Sequence, residues 1–194
     1  MEDKEGYHQR LRQLIRLVVE SDMAEVKGFD LRNARKLLQL LYIISQQVPF
    51  KPNIQNLAEK SQIHRNSVAN YLYFLDEARL IKLLYTSGIS VSLLQKPEKI
   101  FLNNTNLLFA LNPDHPEKGT LRETFFINQT MVKHTINQPD AGDFLLDGKY
   151  IFEVGGKKKK AKQIQNAMHA YVVKDELEFP SGNAFPLWIF GFLY

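Results

Sequence analysis

The dipeptide Asp147-Gly148 constrains this chain more than any other feature, because it separates two apolar runs, 143–146 and 150–154, with the turn chemistry of a two-residue hairpin. A tight turn there pairs Leu146 with Lys149, Leu145 with Tyr150, Phe144 with Ile151 and Asp143 with Phe152. That register puts Asp143 and Glu153 at the same open end of the hairpin, where two carboxylates can offer hard oxygen ligands to Mg²⁺ or Mn²⁺. Gly155-Gly156 and a lysine cluster, Lys157, Lys158, Lys159, Lys160 and Lys162, follow at once. Such a cluster suits phosphate neutralisation and is equally common as a solvated face.

Upstream the apolar spacing is helical. Leu11, Leu14, Ile15, Val18 and Met23 predict an amphipathic helix over 7–23 whose partner surface is expected outside this chain. After Gly28, the stripe Leu31, Ala34, Leu37, Leu38, Leu41 and Tyr42 predicts a second helix, ended by Pro49 and Pro52. Asn53 is the expected N-cap of a helix over 54–60, and 65–77 reads as a longer helix beyond a break at 61–64. Ala58, small where two helices cross, and Ile63, an apolar plug in the turn, complete a helix-turn-helix pattern. Strands over 81–86 and 99–102, joined by a loop holding Gly88 and Pro97, would add the wing of a winged helix. His64, Arg65, Asn66, Asn70 and Tyr73 fall on the outward face of the second helix, and Lys96 and Lys99 in the wing. All are types that contact phosphates and base edges. Asp76 and Glu77 at the helix end argue instead for an ordinary solvated face.

From residue 103 the pattern changes. Asn103-Asn104-Thr105-Asn106 caps a short helix through Leu111, Pro113 and Pro116 break the chain, and a helix carrying Arg122, Glu123, Phe125, Phe126 and Gln129 follows. Glu123 has a bland explanation near a helix N-terminus, where the dipole favours negative charge. After the hairpin and the lysines, Ile164, Ala167, Met168 and Tyr171 predict another helix with Gln163 near its start. Residues 171–173 suit a strand, and 187–194 suit an apolar terminal strand carrying Trp188. The expected class is α/β (α+β): a connecting helix over 1–27, a helical winged-helix domain over 28–102, and over 103–194 a restriction-endonuclease-like mixed sheet flanked by helices.

Composition narrows the function classes. Of 194 residues, 44% are hydrophobic and 24% charged, with a formal charge of +4, so a substantial core is affordable and nucleic acid is permitted as a partner without being demanded. The absence of cysteine excludes disulfides and thiolate metal sites. The charged start lacks the apolar core of a signal peptide, and 185–194 is too short to span a bilayer, so a cytoplasmic protein without membrane contact is expected. His8, His64, His115, His134 and His169 show no ligand spacing, and Ser61, Ser67 and Ser181 have no evident triad partners.

Glu123 on a helix, Asp143 and Glu153 on strands, and the lysines beyond them resemble the PD-(D/E)XK nuclease superfamily. The wider pattern of residues 119–126, Gly142-Asp143-Phe144, 152–157 and Pro186-Leu187-Trp188-Ile189-Phe190-Gly191 resembles the DUF4143-bearing C-terminal half of bacterial AAA-type ATPases. That resemblance implies an N-terminal ATPase module as a partner. None is encoded here, since no Gly-x-x-x-x-Gly-Lys-Ser/Thr loop occurs. It also implies Asp143 and Glu153 as ligands of Mg²⁺ or Mn²⁺, with Glu123, Lys157, Lys158 and Gln163 completing the catalytic set. The family's lysine two positions after the Glu is replaced by Gly155, which displaces the ammonium to Lys157 or Lys158.

Three readings follow. The first is a non-catalytic binding and regulatory module of such an ATPase, contacting DNA or a protein through His64, Arg65, Asn66, Asn70, Tyr73, Lys96, Lys99 and Lys157 to Lys160. The second is a metal-dependent nuclease with a displaced lysine. The third is a purely structural docking domain, and the stripe of the first helix leaves homo-oligomerisation open.

Overall fold

A computed structural model describes residues 3–25, 29–87, 96–112, 116–161, 163–165 and 167–193. Gly28, Gly88, Pro113, His115, Lys162 and Tyr194, which entered the sequence reading, lie outside the described residues. The fold is α+β, with helices and a mixed sheet, and it divides into two compact units: residues 1–83 with 91–116, and residues 84–90 with 117–194.

The first unit holds α1 (Lys4–Glu20), α2 (Ala34–Ser45), α3 (Ile54–Ser61), α4 (Arg65–Glu77), a two-stranded sheet of β1 (Ile81–Leu84) and β2 (Lys99–Leu102), and α5 (Thr105–Leu111). Contrary to expectation, α1 finds its partner within the chain. It packs on α5 and α2, burying Ile15 and Val19, and the Arg12 guanidinium donates to the Ala110 carbonyl at 3.0 Å. Leu14 and Leu17 are left exposed on the opposite face of α1.

Local chemistry sets the α3–α4 junction. The Asn53 side chain accepts from the Asn56 N–H at 3.1 Å, as an N-cap does. Gln62 ends α3 in the left-handed region at φ +56°, and Ile63 plugs the turn, its N–H donating to the Ala58 carbonyl at 3.2 Å. Leu57, Ala58, Val68, Leu72 and Leu75 are buried where α3 meets α4. Phe50 bridges Ile100 antiparallel, tying the loop before α3 to β2.

The second unit is built on α6 (Lys118–Thr130) and a five-stranded sheet ordered β3 (Ile136–Asn137), β4 (Phe144–Leu146), β5 (Tyr150–Gly155), β6 (Ala170–Lys174), β7 (Ala184–Pro186). The β3–β4 and β4–β5 pairs are antiparallel, the other two parallel. Phe126 of α6 is fully buried, with ring centroids of Phe144, Phe152 and Phe190 at 5.2, 5.2 and 4.8 Å.

Three expectations fail here. The stretch 187–194 is not a strand: Leu187–Phe192 forms a 3₁₀ helix after β7, packing on α6. Among the described residues no helix follows the lysines: 163–165 and 168–169 are turns leading back to β6, with Ile164 as the buried anchor. Glu123 is also not in the first turn of its helix, because α6 begins at Lys118. The dipole, which acts over about one turn, therefore does not account for it.

Candidate functional site

The hairpin turn forms as the sequence predicts, but the strands pair one residue out of the predicted register. Asp147 and Gly148 both take positive φ (53° and 64°), and the Lys149 N–H closes the turn on the Leu146 carbonyl at 3.0 Å. Lys149 then stays out of the ladder as an extra residue, so Leu146 pairs with Tyr150, Leu145 with Ile151 and Phe144 with Phe152. Just before β4 the Asp143 N–H donates to the Phe152 carbonyl at 2.9 Å, so Asp143 lies at the open end of the pair beside the residue that precedes Glu153. The Asp147 carboxylate fastens the turn to the start of β3, accepting from the Thr135 N–H at 3.0 Å and lying 2.7 Å from His134 Nδ1. The His134 hydrogen bond, then the Thr135 amide, hold its carboxyl below the usual carboxylate range.

Asp143 Oδ2 accepts from the Val154 N–H at 2.8 Å, which fixes that carboxylate across the strand pair. Glu153 is only 2% exposed, between β4 and β6. Lys159 lies against both: its Nζ is 3.2 Å from Glu153 Oε1 and 3.7 Å from Asp143 Oδ2. Glu153 Oε2 is buried without a hydrogen-bond partner. An ionised carboxylate out of water with half its acceptor capacity unmet is an energetically costly arrangement.

The ammonium that reaches the carboxylates thus belongs to Lys159, while Lys157, Lys158 and Lys160 are exposed. Its route explains Gly155: a Cβ there would come within 2.7 Å of Lys159 Cδ and 2.8 Å of Cγ, so the lysine stem occupies the space of a side chain at 155. The Lys159 N–H donates to the Gly156 carbonyl at 2.9 Å, closing the turn that folds it back. Spacing along an extended strand could not reveal this; the paired glycines before a lysine run were the available signal.

Other predicted residues are more dispersed. Glu123 is half-buried on α6, which packs on β5, and one of its carboxylate oxygens is buried. Gln163 is exposed on a turn. Among the described residues no group of three or more His, Cys, Asp and Glu side chains gathers as a metal cluster, so the Asp143–Glu153 pair stands as a two-carboxylate arrangement. In the first unit, Arg65, Asn66, Asn70 and Tyr73 are exposed along α4, and His64, also exposed, caps it, its Nδ1 accepting from the Asn66 N–H at 3.3 Å. Lys96 is exposed and Lys99, at the head of β2, half-buried.

Residues 1–118 match the family described as Domain of unknown function (DUF8612). The chain belongs to that family. The DUF8612 match covers the first unit and ends at the start of α6. The resemblance to DUF4143-bearing bacterial ATPases does not hold: residues 119–126, 142–144 and 152–157 that carried most of it lie beyond the matched region, and the family found is a different one. A curated relative also points away from bacteria. The uncharacterised protein MJ1637 of Methanocaldococcus jannaschii is 24% identical over 216 aligned residues, covering 99% of this chain and 46% of its own length. This DUF8612 chain therefore spans about half the length of that relative. No solved structure matches it, and no helix among the described residues is long and apolar enough to cross a membrane.

Proposed function

We propose that this is a cytoplasmic nucleic-acid-processing protein whose second unit hydrolyses phosphodiester bonds with a divalent cation held by Asp143 and Glu153. The observation that carries the reading is the buried, half-satisfied Glu153 carboxylate, with the Lys159 ammonium 3.2 Å from Glu153 Oε1 and 3.7 Å from Asp143 Oδ2. Hard oxygen donors suit Mg²⁺ or Mn²⁺. When bound, such an ion polarises a phosphoryl oxygen and acidifies a water. Asp143, steadied by the Val154 amide, and Glu153 serve as its protein ligands. Lys159 donates hydrogen bonds to the charge that develops on the attacked phosphate and orients the water. Exposed Lys157, Lys158 and Lys160 supply backbone neutralisation, and the α4 face with Arg65, Asn66, Asn70 and Tyr73 a second place for duplex contact in the manner of a winged helix.

A second reading, binding without cleavage, is favoured by one observation: the Lys159 ammonium already lies against both carboxylates, and no third ligand accompanies them among the described residues. Labelled duplex and single-stranded DNA, incubated with and without Mn²⁺ across a salt series and run on a gel, separates the two. Cleavage that needs metal and disappears in Asp143→Ala is the expected result. Salt-sensitive binding with intact DNA at every metal concentration leaves the binding reading.

A further inference from the structure

We infer that Arg122 and Asp175 are positioning residues that hold Lys159 against the carboxylate pair. A long, freely rotating lysine side chain carried on a turn needs its backbone fixed if its ammonium is to stay at one place. The support is visible around Gly155 and Gly156. Arg122, on α6, lies over Gly156 so closely that a Cβ there would come within 3.2 Å of its Nη1. Its Nε donates to Asp175 Oδ2 at 2.9 Å, and Nη2 is 3.9 Å from Glu176 Oε1. Asp175, just past the end of β6, donates its own N–H to the Gly155 carbonyl at 2.9 Å. Its Oδ1 accepts from the Glu176 N–H at 2.9 Å, which turns Oδ2 toward the guanidinium.

A closed circuit results: α6 to the end of β6, across to the end of β5, and through the 156–159 turn to the lysine. The Arg122 side chain is 15% exposed against 44% for Asp175, so the pair is enclosed on the arginine side and open to water on the aspartate side. Neither residue touches Asp143 or Glu153 in the contacts that place Lys159, and their role runs through the turn alone.

The consequence for chemistry rests on the phosphodiester reading, but the placement of Lys159 can be measured without it. The full chain, as wild type, Arg122→Ala, Arg122→Lys, Asp175→Asn and Glu153→Gln, is treated with a small amine-acylating ester. Labelling of each lysine is followed by peptide mass spectrometry, with thermal melts on the same samples. Wild-type Lys159 should label more slowly than Lys157, Lys158 and Lys160. In Arg122→Ala and Asp175→Asn its rate should rise about fivefold, the population change that about 1 kcal/mol of lost holding produces. Arg122→Lys, which keeps the charge and loses the fork, should fall between. Glu153→Gln should release Lys159 directly, showing that the ion pair is what slows it.

Should Arg122→Ala fail to fold, Asp175→Asn, at a half-exposed position, carries the test. Unchanged Lys159 labelling in the folded Asp175→Asn protein, or wild-type Lys159 labelling as fast as its neighbours, overturns the proposal. A chain that cleaves no DNA yet shows the expected labelling pattern removes the nuclease reading and leaves the positioning role standing. Cleavage with labelling indifferent to Arg122 and Asp175 does the reverse.

Discussion

Glu153 and Lys159 are unequal partners, and the inequality predicts unequal effects of removing each. Glu153 is enclosed, whereas the Lys159 side chain is 29% exposed and can swing to water. Lys159→Met strands a buried carboxylate and should cost about 3 kcal/mol in urea unfolding. Glu153→Gln removes the desolvated charge and should change stability by less than about 1 kcal/mol. The double variant should recover most of the Lys159→Met loss, and a double variant no better than Lys159→Met alone would mean that the carboxylate is not what the lysine compensates. Asp76 gives a pH-dependent case in the first unit. Burial holds its carboxyl above the ordinary carboxylate range, against the opposing pull of Lys82 and the Leu83 amide. The folded state then binds its proton more tightly than the unfolded chain, so this contribution is complete below the unfolded value and is lost as pH rises through the folded one. Asp76→Asn keeps an acceptor for Leu83 and should flatten that decline, raising the melting temperature near neutral pH by about 2 °C. A steeper decline in the variant would contradict the assignment.

Elements whose ends carry their own chemistry were legible in the sequence, and those whose ends depend on distant packing were not. Asn53 and Asn104 cap α3 and α5 through side-chain oxygens, and both helices start where those residues predict. The hairpin turn was legible at Asp147-Gly148, but its register was not, because the extra residue Lys149 leaves no mark in composition. Asp143 and Glu153 were visible as a pair. Lys159 as their partner was not, since the reach of a side chain over Gly155 is a matter of three-dimensional packing. The apolar run after Pro186 reads as a strand by hydrophobicity alone, yet it forms a 3₁₀ helix with the Phe190 ring tilted against Phe126 at 4.8 Å. At the same scale, Ala58 makes the α3–α4 crossing testable. It is buried where the helices approach, so Ala58→Leu should cost about 1–3 kcal/mol by overpacking, measured by denaturant unfolding followed by circular dichroism. Unchanged stability would mean the crossing has room that its burial denies.

For the whole molecule, a formal charge of +4 over 194 residues is too small to drive DNA binding by itself, so any affinity must come from where the cations sit. Lys157, Lys158 and Lys160 are exposed on the segment that follows β5, while Lys159 is turned inward against Glu153 and Asp143. The arrangement makes the salt dependence quantitative. Each lysine that contacts phosphate contributes roughly 0.9 to the slope of log affinity against log salt on duplex DNA. Replacing Lys157, Lys158 and Lys160 together by alanine should therefore flatten the slope by roughly 2 to 3 if all three contact the backbone. Lys159→Met should leave the slope nearly unchanged, because its charge is internally compensated. Arg65→Ala on α4 should flatten it by about 1 if that face also meets DNA. A slope untouched by the triple lysine variant would make the row a solvated face, and the carboxylate site would then lack the electrostatic approach to a polyanion that its proposed chemistry requires.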